Sequence, residues 1–210
     1  LGLQPCWAKQ PRCSVAATLV HCDAVRFALR YHGEPVAAHH VGEGVQQDAT
    51  EASKWYRLAA EQGFAFAQYN LGVQLANGTG VEQDEVEAVI WYRASAEQGY
   101  GQAQNNLGFM YEYGKGVGKD AREALIWYQR AAGQGNADGQ FNLGAKYAQG
   151  IGVDVDFVKA LSWMLLASAQ DHAQALDYTP RLMEVMTTAQ MEAGERLAIE
   201  CFERALDGCD

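Results

Sequence analysis

Residues 80–115, GVEQDEVEAVIWYRASAEQGYGQAQNNLGFMYEYGK, are one copy of a unit that the chain repeats without gaps every 36 residues. They match residues 44–79 at 19 of 36 positions and residues 116–151 at 17. Tandem repetition at this period excludes most globular folds, because each unit is one supersecondary element that buries its apolar face only against the next. The chain is therefore read as a stack of short units.

The residues inside the unit say what the element is. Gly42-x-Gly44-Val45 recurs as Gly78-x-Gly80-Val81, Gly114-x-Gly116-Val117 and Gly150-x-Gly152-Val153. Paired glycines supply the positive φ that ends a helix and redirects the chain. Three residues on stands Asp48, Asp84, Asp120 or Asp156, and in three copies Glu51, Glu87 or Glu123 follows three further. That spacing predicts an N-cap closed by a capping-box carboxylate, so a helix, termed B, starts at each Asp. Helix B carries Ala88, Trp91, Tyr92 and Ala96 on one stripe, repeated as Ala52, Trp55, Tyr56, Ala60 and as Ala124, Trp127, Tyr128, Ala132, with Ala160, Trp163 and Met164 in the fourth copy. The stripe assigns the Trp–Tyr pairs to the core. Gly63, Gly99 and Gly135 stop helix B, and Asp171 takes that slot in the fourth copy. Helix A follows, with Ala103, Leu107, Tyr111 and Gly114 at helical spacing. Small residues facing large rings let neighbouring helices interlock.

The ends are different. Residues 1–40 hold three cysteines and no sustained helical period, and read as a degenerate or poorly ordered N-terminal segment. The array proper is assigned to residues 41–176 and a capping region to 177–210, in which Pro180 predicts a break or restart and the run from Thr187, with Met191, Leu197, Ile199, Phe202 and Leu206, predicts a helix shielding the end of the stack. Cys6, Cys13, Cys22, Cys201 and Cys209 are odd in number and lie at the chain ends, which argues against a disulfide-stapled scaffold. Residues 14–20 form a short apolar run after Lys9 and Arg12, but no small-x-small cleavage site follows, and His21 occupies the small-residue position of a lipoprotein-type box ahead of Cys22. A cytoplasmic location is expected, with an exported one the alternative.

Residues 103–135 resemble the Sel-one-like repeat family, relatives of the tetratricopeptide repeats. The family pattern is met by Ala103, Leu107, Gly108, Tyr111, Gly114, Gly116, Val117, Asp120, Ala124, Trp127, Tyr128, Ala131, Ala132 and Gly135. Departures are Leu75 for the helix-A Tyr, Gly139 for its Ala and Asp171 for the glycine after helix B. The resemblance implies an all-α fold, a right-handed α-solenoid of tandem helix-turn-helix repeats, working as a non-catalytic scaffold for a protein or peptide ligand.

Within helix A, positions 66, 70, 73 and 77 and their equivalents lie on a face next to the core stripe. If it lines the concave groove, it presents Phe66, Asn70 and Asn77, then Gln102, Asn106, Phe109 and Tyr113, then Asp138, Asn142 and Gln149, with Val73 and Ala145 between them. An amide ladder of Asn70, Asn106 and Asn142 could bond the backbone of an extended peptide. Equally, each Asn could tie one repeat to the next.

Function classes can be excluded or disfavoured. Residues 44–210 carry a net charge of −11 against +1 for residues 1–43, so the array lacks the basic footprint of a nucleic-acid binder. No run of 18 apolar residues suggests a membrane span. Metal, cofactor and catalytic signatures are absent: there is no H-E-x-x-H and no G-x-S-x-G, and His39–His40 are adjacent and point to different faces. Residues 108–116 mimic a phosphate loop but have five residues between glycines and no Ser/Thr after the Lys. Cysteine-rich members of the family carry penicillin-binding or β-lactamase labels, which makes a cell-wall hydrolase or regulator the alternative. Ser14, Ser53, Ser95, Ser162 and Ser168 all lack the Lys three residues on that an S-x-x-K needs. Self-association through an uncapped N-terminal stack end is a further expectation.

Overall fold

The computed structural model describes residues 49–206 and Cys209. These form nine helices and no strand: α1 Ala49–Glu61, α2 Ala65–Asn77, α3 Glu85–Glu97, α4 Gly101–Tyr113, α5 Ala121–Gly133, α6 Ala137–Gln149, α7 Phe157–Ser168, α8 Ala173–Met183 and α9 Thr188–Glu203. Helices α2, α4, α6 and α8 are A helices; α1, α3, α5 and α7 are B helices. Each packs on its sequence neighbours, giving the helical-repeat stack that the period predicts. The readings for residues 1–40, the His39–His40 pair, His21–Cys22 and the first glycine loop lie outside the described residues.

Asp84, Asp120 and Asp156 are the N-caps of α3, α5 and α7, their carboxylates accepting from Glu87 N, Arg122 and Glu123 N, and Lys159 N. The expected capping box does not close at Glu87. The amide of each Asp already donates to the preceding A helix, Asp84 to Leu75 O, Asp120 to Tyr111 O and Asp156 to Tyr147 O. Glu87 is therefore free to accept from Arg57 of the preceding repeat (2.6 Å) and from Trp91 Nε1 (3.1 Å). That partnership raises the Arg57 pKa and lowers that of Glu87. A complete capping box forms only at Thr187 and Gln190 among the described residues.

The core follows the two stripes. Tyr56, Tyr92, Tyr128, Trp127 and Trp163 are buried with Leu71, Leu107 and Leu143. The glycine after Leu71 and Leu107 is a seat for a ring: a Cβ on Gly108 would come within 2.8 Å of the Tyr128 ring, and one on Gly72 equally close to Tyr92, whereas Gly144 after Leu143 seats the Met164 side chain. The loop glycine is a second close approach, since a Cβ on Gly116, at φ +63°, would lie 2.1 Å from Glu85 O of the preceding B helix. Asp171 takes the left-handed conformation (φ 59°) of the glycine it replaces.

A half-buried amide ladder, not anticipated from the sequence, joins the repeats. Gln98 Nε2 donates to Gln68 Oε1 (2.7 Å), Gln134 to Gln104 (2.9 Å) and Gln170 to Gln140 (2.8 Å). Gln68 and Gln104 in turn donate to Ala60 O and Ala96 O. Gln104→Leu removes both bonds in a site where Gln104 is 3% exposed. We expect a loss of about 2 kcal/mol, read as a lower denaturant midpoint at constant slope, part of it recovered by adding Gln134→Leu. A single variant of unchanged stability would show that the ladder carries no net energy.

At the C-terminal end, α8 runs through Pro180 without the expected break and ends at Met183, with the restart at Thr187. The carbonyl that Pro180 leaves without a helical donor is that of Leu176, an exposed residue, so solvent can take the missing donor's place. Helix α9 packs chiefly on α7. Its contact stripe is Met191, Gly194, Ala198 and Cys201, whereas Ile199 (59%) and Phe202 (76%), expected in the shielding face, are exposed. Cys201 and Cys209 form a disulfide that closes the C-terminal turn onto α9.

Candidate functional site

Four of the residues expected on the helix-A face line one cleft between α2 and α4: Val73, Asn77, Asn106 and Phe109. The cleft has a volume of about 340 Å³ and is completed by Tyr69, Tyr92, Asn105 and Lys115, with Glu85 at its edge. Helix A supplies the floor because its core stripe turns Leu71 and Leu107 inward, leaving positions one residue away on the cleft side. Phe109 is 40% exposed and packs against Tyr113 with ring centroids 4.5 Å apart; Tyr113 is 57% exposed. Lys115 Nζ sits 5.5 Å from the Phe109 centroid and 3.7 Å from Glu85 Oε1. One end of the cleft is thus an aromatic pair beside a solvent-facing ion pair.

The inner wall is made by two tyrosines. Burial raises the pKa of the Tyr69 and Tyr92 hydroxyls, the latter to about 12, and the nearby Asn106 amide partly offsets the rise. Both phenols stay neutral and can donate as well as accept. Beyond Tyr113 the face becomes charged: Lys146 and Glu112 form an ion pair, and Tyr128 Oη donates to Glu112 Oε2 (2.8 Å). Burial, then the Glu112 charge, drives the Tyr128 hydroxyl far up; for Tyr113 the Glu112 charge is the leading cause of a rise.

The remaining candidates are dispersed. Asn70 Nδ2 donates to its own helix at Phe66 O (2.8 Å), and Asn142 Nδ2 donates to Asn105 Oδ1 (2.8 Å) across repeats. Asn142 thus ties one repeat to the next, whereas Asn70 bonds only its own helix. Phe66 is 40% exposed with its edge toward Tyr56 and Tyr100, both centroids at 6.3 Å. Asp138 Oδ1 lies 3.1 Å from His172 Nε2, and His172 stacks on Phe141 while its Nδ1 caps α8. Gln102 lines a separate recess with Gln134, Asn136 and Gln170. Gln149 is exposed at the end of α6, and Ala145 is buried. Sequence reasoning missed Tyr69, Tyr92, Asn105 and Lys115. Tyr69, Asn105 and Phe141 occupy one register position whose side chain changes from repeat to repeat.

Among the described residues no group of three or more His, Cys, Asp or Glu could hold a metal ion, and no helix is long and apolar enough to cross a membrane. The cleft offers aromatic faces, amides and one ion pair, a set suited to binding.

Comparison with known proteins agrees with this register. A model of the Sel1 repeat matches residues 27–64, 65–100, 101–136, 137–172 and 191–208. The three middle matches each take one A helix and the B helix after it. Among solved structures, a Sel1 repeat protein from Oxalobacter formigenes is 34% identical with a TM-score of 0.67, over 79% of this chain and 63% of its own. The c5321 protective antigen of uropathogenic Escherichia coli, which displays an SLR fold, is 33% identical with a TM-score of 0.76, over 92% of this chain and 40% of its own. Helicobacter pylori cysteine rich protein B is 27% identical with a TM-score of 0.51, over 66% of this chain and 99% of its own. The chain thus spans less than two thirds of the length of the first two. No curated protein matches the sequence. With repeat after repeat carrying the same capped hairpin, ring seat and loop glycines, the chain belongs to the Sel1 repeat family.

Proposed function

We propose that the chain is an adaptor that binds a peptide segment of a partner protein along its helix-A face, centred on the cleft between α2 and α4. Sel1 repeat proteins are generally protein-interaction scaffolds, and the family is typically non-catalytic. The observation that carries the finer reading is that exposed Phe109 shares one cleft with Asn77, Asn106 and Lys115, with exposed Tyr113 packed against the Phe109 ring. Exposed aromatics next to fixed polar groups are the composition of binding hot spots. The A helices on either side of α6, α4 and α8, touch it directly, as expected if the A row is the inner, concave one.

The reading shifts weight within the ladder. Asn70 and Asn142 spend their amide nitrogens inside the fold, so Asn77, Asn106, Phe109 and Tyr113 carry the recognition, with Phe66, Gln102, Asp138 and Gln149 at its margins. Phe109→Ala with Tyr113→Ala removes exposed rings and should leave the melting temperature nearly unchanged. Affinity capture with the full chain as bait, followed by quantitative mass spectrometry, should then lose a partner that the wild type retains. A capture profile identical in bait and variant would sink the proposal.

A further inference from the structure

A second surface lies at the C-terminal end of the stack. Two adjoining cavities, of about 540 and 530 Å³, share Leu166, Ala169 and Phe202 and form one groove between α7 and α9. Its walls between the two helices are apolar, Leu165 and Leu166 from α7, Ile199 and Phe202 from α9, and Leu206 at the turn, and one end is lined by Gln134, Gln140 and Gln170. Phe202 is 76% exposed and Ile199 59%, although Met191, Ala198 and Cys201 of the same helix are packed against the core. Among the described residues, the charged ones lining the groove are Glu195 and Glu203.

Their spacing is informative. Positions 195, 199, 202 and 203 fall on one stripe of α9, so two carboxylates bracket the apolar pair about 12 Å apart along the axis. A second copy of this chain is a poor occupant, because antiparallel pairing centred on Ile199 sets Glu195 of one copy against Glu203 of the other. A cationic occupant satisfies both carboxylates and meets a chain whose net charge is −10. A groove between two helices accepts a third helix through an apolar stripe.

We propose that this groove docks an amphipathic helix of a partner whose apolar stripe is flanked by Lys or Arg. The site is separate from the α2–α4 cleft. The test uses the full chain and two fluorescein-labelled helical peptides of leucine with lysine or with glutamate, read by fluorescence anisotropy. The lysine peptide should bind and the glutamate peptide should not. Phe202→Ser, an exposed change that keeps every charge, should weaken the lysine peptide by about tenfold or more. Glu195→Lys with Glu203→Lys should reverse the preference, and Phe109→Ala with Tyr113→Ala should leave it intact. Binding that ignores Phe202→Ser would reduce the attraction to net charge and overturn the proposal. So would a dimer in sedimentation that Phe202→Ser dissolves, since the occupant would then be a second copy.

Discussion

Gly116→Ala is expected to lower the melting temperature by about 10 °C, whereas Gly118→Ala, two residues away, should leave it unchanged. The added methyl at Gly116 would meet Glu85 O at 2.1 Å, and the atoms it meets are backbone, which cannot swing aside. The residue also has φ +63°, a region that costs an L side chain about 1 kcal/mol or more. Adding steric displacement of the α3 N-terminus brings the loss to roughly 3–4 kcal/mol. For a chain of this size each kcal/mol is about 2–4 °C. Gly118 has open space around its Cβ position and no positive φ, so it controls for loop flexibility. Thermal unfolding followed by circular dichroism checks both. Equal effects would mean that the loop glycine is not a contact between repeats.

Lys146→Met should cost about 3 kcal/mol although Met occupies the equivalent position, Met110, in the preceding repeat. The Lys146 side chain is 8% exposed and Glu112 15%, so removing the ammonium leaves a carboxylate with the Tyr128 hydroxyl but without its counter-ion in a largely water-excluded place. The double variant Glu112→Gln, Lys146→Met removes both charges and should recover most of the loss. Urea midpoints at constant slope supply the measurement. A single variant as stable as the wild type would show that water reaches Glu112 and that the pair clamps nothing between α4 and α6.

The parts of this fold that repeat were legible, and the parts that differ were not. Each Asp N-cap, each loop glycine and each buried Tyr could be placed because its neighbours at the same register said the same thing three or four times. The glutamine ladder carried the same signal, with Gln68, Gln104 and Gln140 in register and Gln98, Gln134 and Gln170 likewise. It was overlooked because a Gln one residue from the apolar stripe reads as solvated until its partner from the next repeat is in place. Repetition alone left the asparagine row open. Asn70, Asn106 and Asn142 recur in register, which fits a ligand ladder or a tie between repeats, and the row divides: Asn142 bonds Asn105 of the preceding repeat, whereas Asn70 bonds its own helix. Recognition of one particular partner needs positions that vary, and Tyr69, Asn105 and Phe141 are such a row.

Beyond residue 172 the 36-residue register is interrupted, and only the partial match at 191–208 follows. Pro180 within α8 and the outward turn of Ile199 and Phe202 depend on α9 packing on α7 instead of continuing the alternation of A and B helices. That choice is tertiary. The local sequence of α9, apolar at several phases of the helix, does not decide between its two faces.

The central claim is that a partner lies on the helix-A face. A photo-cross-linking amino acid placed at Phe109 or Tyr113, and in a separate variant at Ile90 on the exposed side of B helix α3, tests it most directly. The account predicts a discrete cross-linked partner from position 109 or 113 and none from position 90. A partner captured from position 90 and nothing from 109 or 113 would contradict it.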